Sequence, residues 1–166
     1  MNGTIPEKIF DIQTLEKFMV EFNRLSGNLS WKIGSLPNLR IFNATHNTLI
    51  GDIPFELFDS KSLETLDLSV NDIEGELSPR FQELETLRHL YLHENAFDGT
   101  IPIELGGVDL VSLKLHGNFL SGDMPVDICA KRGPNLKDLQ ILTADCGEIS
   151  GSKIVCDLPD CCTMCM

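Results

Sequence analysis

Two histidines, His93 and His116, stand 23 residues apart, and so do the asparagines just beyond them, Asn95 and Asn118. A shared step means a shared place in successive copies of one local structure. If those copies are neighbouring strands, the two imidazoles lie about 5 Å apart on one face, with Glu94 beside them. Such a pair admits three chemistries: plain solvent-facing side chains, a proton-sensitive patch that charges below about pH 6, or two ligands of a metal ion. The first is the plainest, so no metal and no cofactor is expected. Six cysteines form the other reactive set: Cys129, Cys146, Cys156, Cys161, Cys162 and Cys165. An even number near one end of a chain suits disulfide cross-links. The competing reading is a zinc site on Cys162-x-x-Cys165 with two partners from Cys146, Cys156 and Cys161. A bond between the neighbours Cys161 and Cys162 would be strained, so each is expected to pair elsewhere, in a pattern the sequence does not select.

Other chemistry is missing. There is no G-x-S-x-G, no phosphate-binding glycine loop and no H-E-x-x-H, since His93-Glu94-Asn95 has no second histidine at helical spacing. With 25 acidic residues, no single pair of carboxylates stands out as acid and base. No catalytic residue is expected, and the chain reads as a non-enzyme. Lys+Arg 13 against Asp+Glu 25 gives a net charge of −12, which argues against nucleic acid as partner. No run reaches the roughly 18 apolar residues of a membrane span.

The spacing that pairs the histidines runs through most of the chain. Leu63, Leu66, Leu68, Asn71, Ile73, Gly75 and Leu77 make one copy of a pattern, and Leu87, Leu90, Leu92, Asn95, Phe97, Gly99 and Ile101 the next. The asparagines Asn23, Asn47, Asn71, Asn95 and Asn118 advance by 24, 24, 24 and 23. Each symbol has a physical task. The L-x-L core alternates with period two, which makes a short strand with one buried face. Stacked copies make a parallel sheet. The asparagine, donor and acceptor at once, can satisfy backbone groups stranded where the chain bends inward. The glycine allows backbone angles closed to other residues, and proline suits an irregular return. No single copy can bury its own leucines, so the core exists only as a stack.

Gly51-Asp52-Ile53-Pro54, Gly99-Thr100-Ile101-Pro102, Gly122-Asp123-Met124-Pro125 and Gly3-Thr4-Ile5-Pro6 share a G-x-I-P-like ending. With the repeat, this resembles the plant-type leucine-rich repeat of receptor-like proteins, receptor-kinase ectodomains and cell-wall enzyme inhibitors, over about residues 3–128. The resemblance implies an α/β leucine-rich-repeat solenoid with a parallel concave sheet, an irregular or 3-10 convex side and a cysteine-rich C-terminal cap. Leu142-Thr143-Ala144-Asp145-Cys146 and the terminal Cys-Cys-x-x-Cys look like the ends of such proteins from diatoms and related algae. The expected division is a partial first repeat at 1–13, five repeats at 14–128, and a degenerate last repeat with its cap at 129–166. In the last repeat Leu136, Leu139 and Ile141 are the expected strand positions. Two repeats depart from the pattern, Leu29-Ser30-Trp31 without proline and Leu77-Ser78-Pro79 with proline one place late, and looser returns are expected there. The chain opens on half a repeat, which leaves Ile5, Ile9, Ile12 and Leu15 without a cap. A truncated start is therefore expected, and any signal peptide would belong to the missing part.

Residues beside the strand leucines project onto the concave face. Arg40, His46, Asp67, Arg88 and His89 are candidate ligand-binding residues, as are Tyr91, His93, Glu94, Lys114 and His116. All four histidines and the only tyrosine fall here. Thr45, Ser69, Val70 and Ser112 are expected to share this open face, so Ser69 should be dispensable where Asn71 is not. The leading expectation is a non-catalytic module that recognises a protein, peptide or glycan, part of an extracellular receptor-like protein, secreted or anchored through another part. The alternatives are a secreted inhibitor of a cell-wall or microbial hydrolase and an intracellular scaffold. Asn2, Asn28 and Asn43 begin N-x-S/T triplets, candidate glycosylation sites in a secretory protein.

Overall fold

The computed structural model describes residues 1–132, 139–145, 153–155, 161 and 164–165. Strands Lys17–Met19, Ile41–Asn43, Thr65–Asp67, His89–Tyr91, Ser112–Lys114, Ile141–Ala144 and Met164–Cys165 follow one another across a single parallel sheet. Leu66 lies beside Leu90, Leu90 beside Leu113, and Leu113 beside Leu142. All four are fully buried. A second parallel sheet, Asn2–Gly3, Arg24–Asn28, Thr48–Gly51, Asp72–Glu76 and Ala96–Asp98, forms the flank after the asparagines. The return side holds 3-10 turns at Glu7–Asp11, Trp31–Ser35, Phe55–Asp59, Pro79–Glu83 and Ile103–Gly107, then a short α-helix at Val126–Ala130. This is the α/β leucine-rich-repeat solenoid, with its buried leucines and six of the nine phenylalanines in one continuous core.

The two irregular repeats are not looser. Where proline is absent or late, Ser30 and Ser78 sit at the N-cap with ψ 136, and their hydroxyls accept from the N–H of Lys32 and Arg80 at 3.2 Å. The serine side chain thus supplies a cap that the turns opened by Pro54 and Pro102 lack, while the backbone at the cap keeps the same extended conformation. The last repeat differs from expectation in register. Leu142 and Ala144 are fully buried, while Ile141 is 42% exposed. The inward set is Leu139, Leu142 and Ala144, aligned with Leu110, Leu113 and Leu115; it lies three residues beyond the expected one, and an odd slip turns Ile141 to the other face of the strand.

The asparagines form a ladder. Asn71 Nδ2 donates to the carbonyls of Leu68 and Ser69 in its own repeat and of Ala44 in the preceding one, while its Oδ1 accepts from Leu49 N–H. Asn47, Asn95 and Asn118 make the same set one repeat earlier or later. Just before each lies a residue in the left-handed region: Phe22, His46, Val70 and Glu94, with φ between 54 and 55, and Gly117 at 69. This bend turns the carbonyls onto the amide. Ser69, expected to be open, is 2% exposed, and its hydroxyl bonds Asp67 at 2.6 Å and Thr45 at 2.8 Å. The position is buried and bonded rather than open, and Ser69→Ala would remove both of these hydroxyl bonds.

Along the array the N–H groups of the bend find carbonyls on the next strand: Glu94 on His116 and Asn95 on Gly117. At the end of the array the partner changes. Gly117 and Asn118 donate to the two carboxylate oxygens of Asp145, at 2.9 and 3.1 Å, and Asp145 is 7% exposed. A carboxylate is acceptor only, so it closes a row of donors. From the return-side helix, Cys129 forms a disulfide with Cys161, a bond that spans 32 residues. Cys161 is thereby removed from the alternative zinc set. Cys146, Cys156 and Cys162 lie outside the described residues, as does Leu136, and of Cys165 only the backbone is described. At the other end Ile5 is buried and Ile9 and Leu15 are partly buried, against the expectation that they stand open. Ile12, at 44% exposure, and Met1 border an apolar hollow floored by Ile5, Ile9, Phe18 and Leu25. Among the described residues no helix is long and apolar enough to cross a membrane.

Two outcomes follow for stability in urea. Asp145→Ala should cost about 1–3 kcal/mol by stranding two backbone donors, and Asp145→Asn, which keeps one acceptor oxygen, should cost less; equal losses would contradict the role given to the carboxylate. Val70 carries a branched side chain in a conformation that disfavours it. Val70→Asn should therefore gain about 1 kcal/mol, whereas Gly117→Val should lose stability, since its Cβ would lie 3.1 Å from the Glu94 backbone.

Candidate recognition surface

Outward positions of the concave strands form columns, one residue per repeat. The first column runs Glu16, Arg40, Glu64, Arg88, with alternating charge. Arg40 grips Glu64 through two hydrogen bonds, Nε–Oε1 at 2.8 Å and Nη2–Oε2 at 2.9 Å. That pairing holds the Glu64 carboxyl below its ordinary range and raises the guanidinium of Arg40. Arg88 donates to the carbonyls of Asp109, at 3.0 Å, and Leu87. Two of the three basic candidates on this face are therefore engaged within the fold.

The next columns are freer. Asp67, Tyr91 and Lys114 are paired residue by residue across three strands, and all three are half-buried. The Lys114 ammonium sits 5.2 Å from the centre of the Tyr91 ring, a cation–π distance. The Tyr91 hydroxyl lies 3.4 Å from His89 Nδ1. His46 is exposed and stacks on Phe22 with ring centres 4.4 Å apart. Phe22, at 71% exposure, is a large apolar group on the rim that the pattern did not single out. Thr45 and Ser112 are buried rather than open, at 8% and 2% exposure.

His93 and His116 stack, with ring centres 4.7 Å apart and planes inclined by 22°. The hydrogen bonds that bring them there are backbone ones, Glu94 N–H to His116 carbonyl at 2.8 Å and Val70 N–H to His93 carbonyl at 3.0 Å. His116 Nδ1 lies 2.6 Å from Thr143 Oγ1, whereas His93 Nδ1 is buried without a hydrogen-bond partner among the described residues. Both imidazoles titrate below their ordinary 6.5. Burial is the main cause for each; His116 and Lys114 add to it at His93 against Asp67 and Glu94, and at His116 burial acts against Asp145 and Glu94. Thr143 and Asp145 were hidden from the periodicity because Lys114 pairs with Thr143, 29 residues on, where earlier steps are 23 or 24. Of the candidate glycosylation sites, Asn2 and Asn28 are exposed, while Asn43 is half-buried and accepts from Thr45 N–H.

The sequence profile of the Leucine Rich Repeat family matches residues 62–84 and 86–108. No curated protein matches the chain. Among solved structures, the PEPR1–AtPEP1 complex is 33% identical with a TM-score of 0.79, over 86% of this chain and 20% of that one. The Arabidopsis receptor kinase HAESA, in complex with the peptide hormone IDA and the co-receptor SERK1, is 34% identical with a TM-score of 0.73, over 75% of this chain and 21% of that one. A plant ice-binding protein is 26% identical with a TM-score of 0.77, over 93% of this chain and 46% of that one. The chain thus spans about a fifth of the length of the first two.

A depressed imidazole pKa means that the fold favours the neutral ring. Its contribution to stability is present above pH 6.5 and is lost as pH falls through the folded values. In metal-free protein, both rings should titrate below 6.5 by NMR, and urea stability should fall on going from pH 7 toward pH 5. His93→Gln combined with His116→Gln should flatten that fall. Midpoints at or above 6.5 would contradict the burial argument.

Proposed function

We propose that this chain is an extracellular recognition module that binds a protein or peptide segment along its concave sheet. One observation carries the reading. Asp67, Tyr91 and Lys114 form a half-buried row of acid, aromatic and base on three backbone-locked strands. An extended peptide crossing that row would meet a rigid aromatic anchor with a charge of each sign beside it, the composition of a binding hot spot. Because the sheet is held by ladder hydrogen bonds, little conformational freedom is lost on binding. The likeness to HAESA, whose structure contains a peptide hormone and a co-receptor, supports a peptide as the occupant.

The Cys129–Cys161 disulfide supports an oxidising, extracellular setting and counts against the intracellular scaffold. With so many of the concave side chains accounted for by paired charges and bends, binding explains the face better than catalysis does. The exposed Asn2 and Asn28 would accept glycans without touching the row, while a glycan on Asn43 would narrow the face.

Selecting peptides from a random displayed library on the immobilised chain tests this reading. Tyr91→Ala should weaken the selected peptides about 30-fold, the effect of a hot-spot residue, and Asp67→Lys should change which peptides are selected. Glu104→Lys on the return side should leave affinity unchanged. Peptides indifferent to Tyr91 and Asp67 would overturn the concave-face assignment.

A further inference from the structure

We infer that His93, His116 and Glu94 form a binding site for a divalent transition metal of the zinc type on the concave face. The ligating atoms available from these three residues all lie within 4.8 Å of one another. Two nitrogens bound tetrahedrally at 2.0–2.1 Å are separated by about 3.3 Å, so closure requires a contraction of at most roughly 1.5 Å. Side-chain rotation can supply it, because the three backbones are already fixed by the Val70–His93 and Glu94–His116 hydrogen bonds.

Three further features suit a cation. A metal-bound histidine donates its other ring N–H to a second group, which fixes the ring and raises its basicity. Thr143 Oγ1, 2.6 Å from His116 Nδ1, is placed to accept such a bond, which leaves the His116 Nε2 lone pair for the metal. The buried Nδ1 of His93 has no partner among the described residues, so one polar atom of the cluster lacks what a bound ion or its water would supply. Finally, the charged groups that face the pair are Asp67, Glu94 and Asp145 against Lys114 alone. Lys114 is set over the Tyr91 ring.

Two imidazoles and one carboxylate leave a coordination position open toward the concave face, filled by water or by a carboxylate or imidazole of whatever binds there. The ion would sit one column from Tyr91. Metal binding is measured without any peptide, so its outcome is separate from that of the recognition reading.

Calorimetric titration of the chelator-stripped, disulfide-intact protein with Zn²⁺ at pH 7.5 should show one equivalent bound, lost in His93→Gln and in His116→Gln. Thr143→Ala removes only the orienting hydrogen bond and should weaken binding by about 10–100-fold, with the fold retained by circular dichroism. Co²⁺ in place of Zn²⁺ should give visible d–d bands without the near-ultraviolet charge transfer of thiolate ligation, which separates this site from the cysteine-rich tail. No binding by the parent would overturn the assignment. So would binding that survives both histidine substitutions, or a cobalt spectrum dominated by thiolate.

Discussion

The whole solenoid hangs on the carboxamide of one asparagine per repeat. Its Nδ2 gathers carbonyls from two successive repeats, and its Oδ1 takes an N–H from the earlier one. An aliphatic side chain could fill the space but could not pair those groups, and a buried unpaired backbone group is costly. The bond set also explains the strain beside it. A β-branched valine is held at φ 55 because turning the carbonyls of Leu68 and Ser69 onto one amide requires that bend. The ladder therefore fixes the strand register, and the strand register decides which side chains meet on the concave face.

That dependence sets how much could be read from the sequence. Period, strand positions, ladder and 3-10 returns were legible because each repeat states them again in the same place. The left-handed residue was not, because Phe22, His46, Val70, Glu94 and Gly117 share a conformation without sharing a residue type. Thr45 and Ser69 looked open for a similar reason. Alternation places them outward, but the two hydroxyls are buried against one another, and that of Ser69 also against Asp67. The end of the array was least legible, since the step from Lys114 to Thr143 breaks the period that aligned all earlier positions. Asp145 replaces backbone carbonyls with a carboxylate, and no earlier repeat announces that substitution. Within the face, the adjacency of His93 and His116 followed from counting. The engagement of Arg40 by Glu64 and of Arg88 by a backbone carbonyl did not, because it depends on side-chain reach.

The concave face is consequently divided. One edge is a column of alternating acids and bases in which Arg40 and Glu64 hold each other and Arg88 is held by backbone carbonyls. The middle holds Asp67, Tyr91 and Lys114, and the inner edge holds the two imidazoles. A partner would find its free polar chemistry in the middle and inner columns, nearer the C-terminal half of the face. The most exposed apolar side chains on this side, Met19 and Phe22, lie toward the opposite end.

Stretching gives the disulfide a further meaning. Each repeat of 24 residues advances the stack by one strand spacing, about 4.8 Å, yet its chain pulled straight reaches roughly 80 Å. Every repeat is thus a coil of stored length, released when its ladder bonds give way. The Cys129–Cys161 bond encloses 32 steps of chain that tension cannot pay out. Under load from its two ends, the molecule would lengthen by unwinding repeats ahead of that bond, while the enclosed loop stays slack and the force passes through two sulfur atoms.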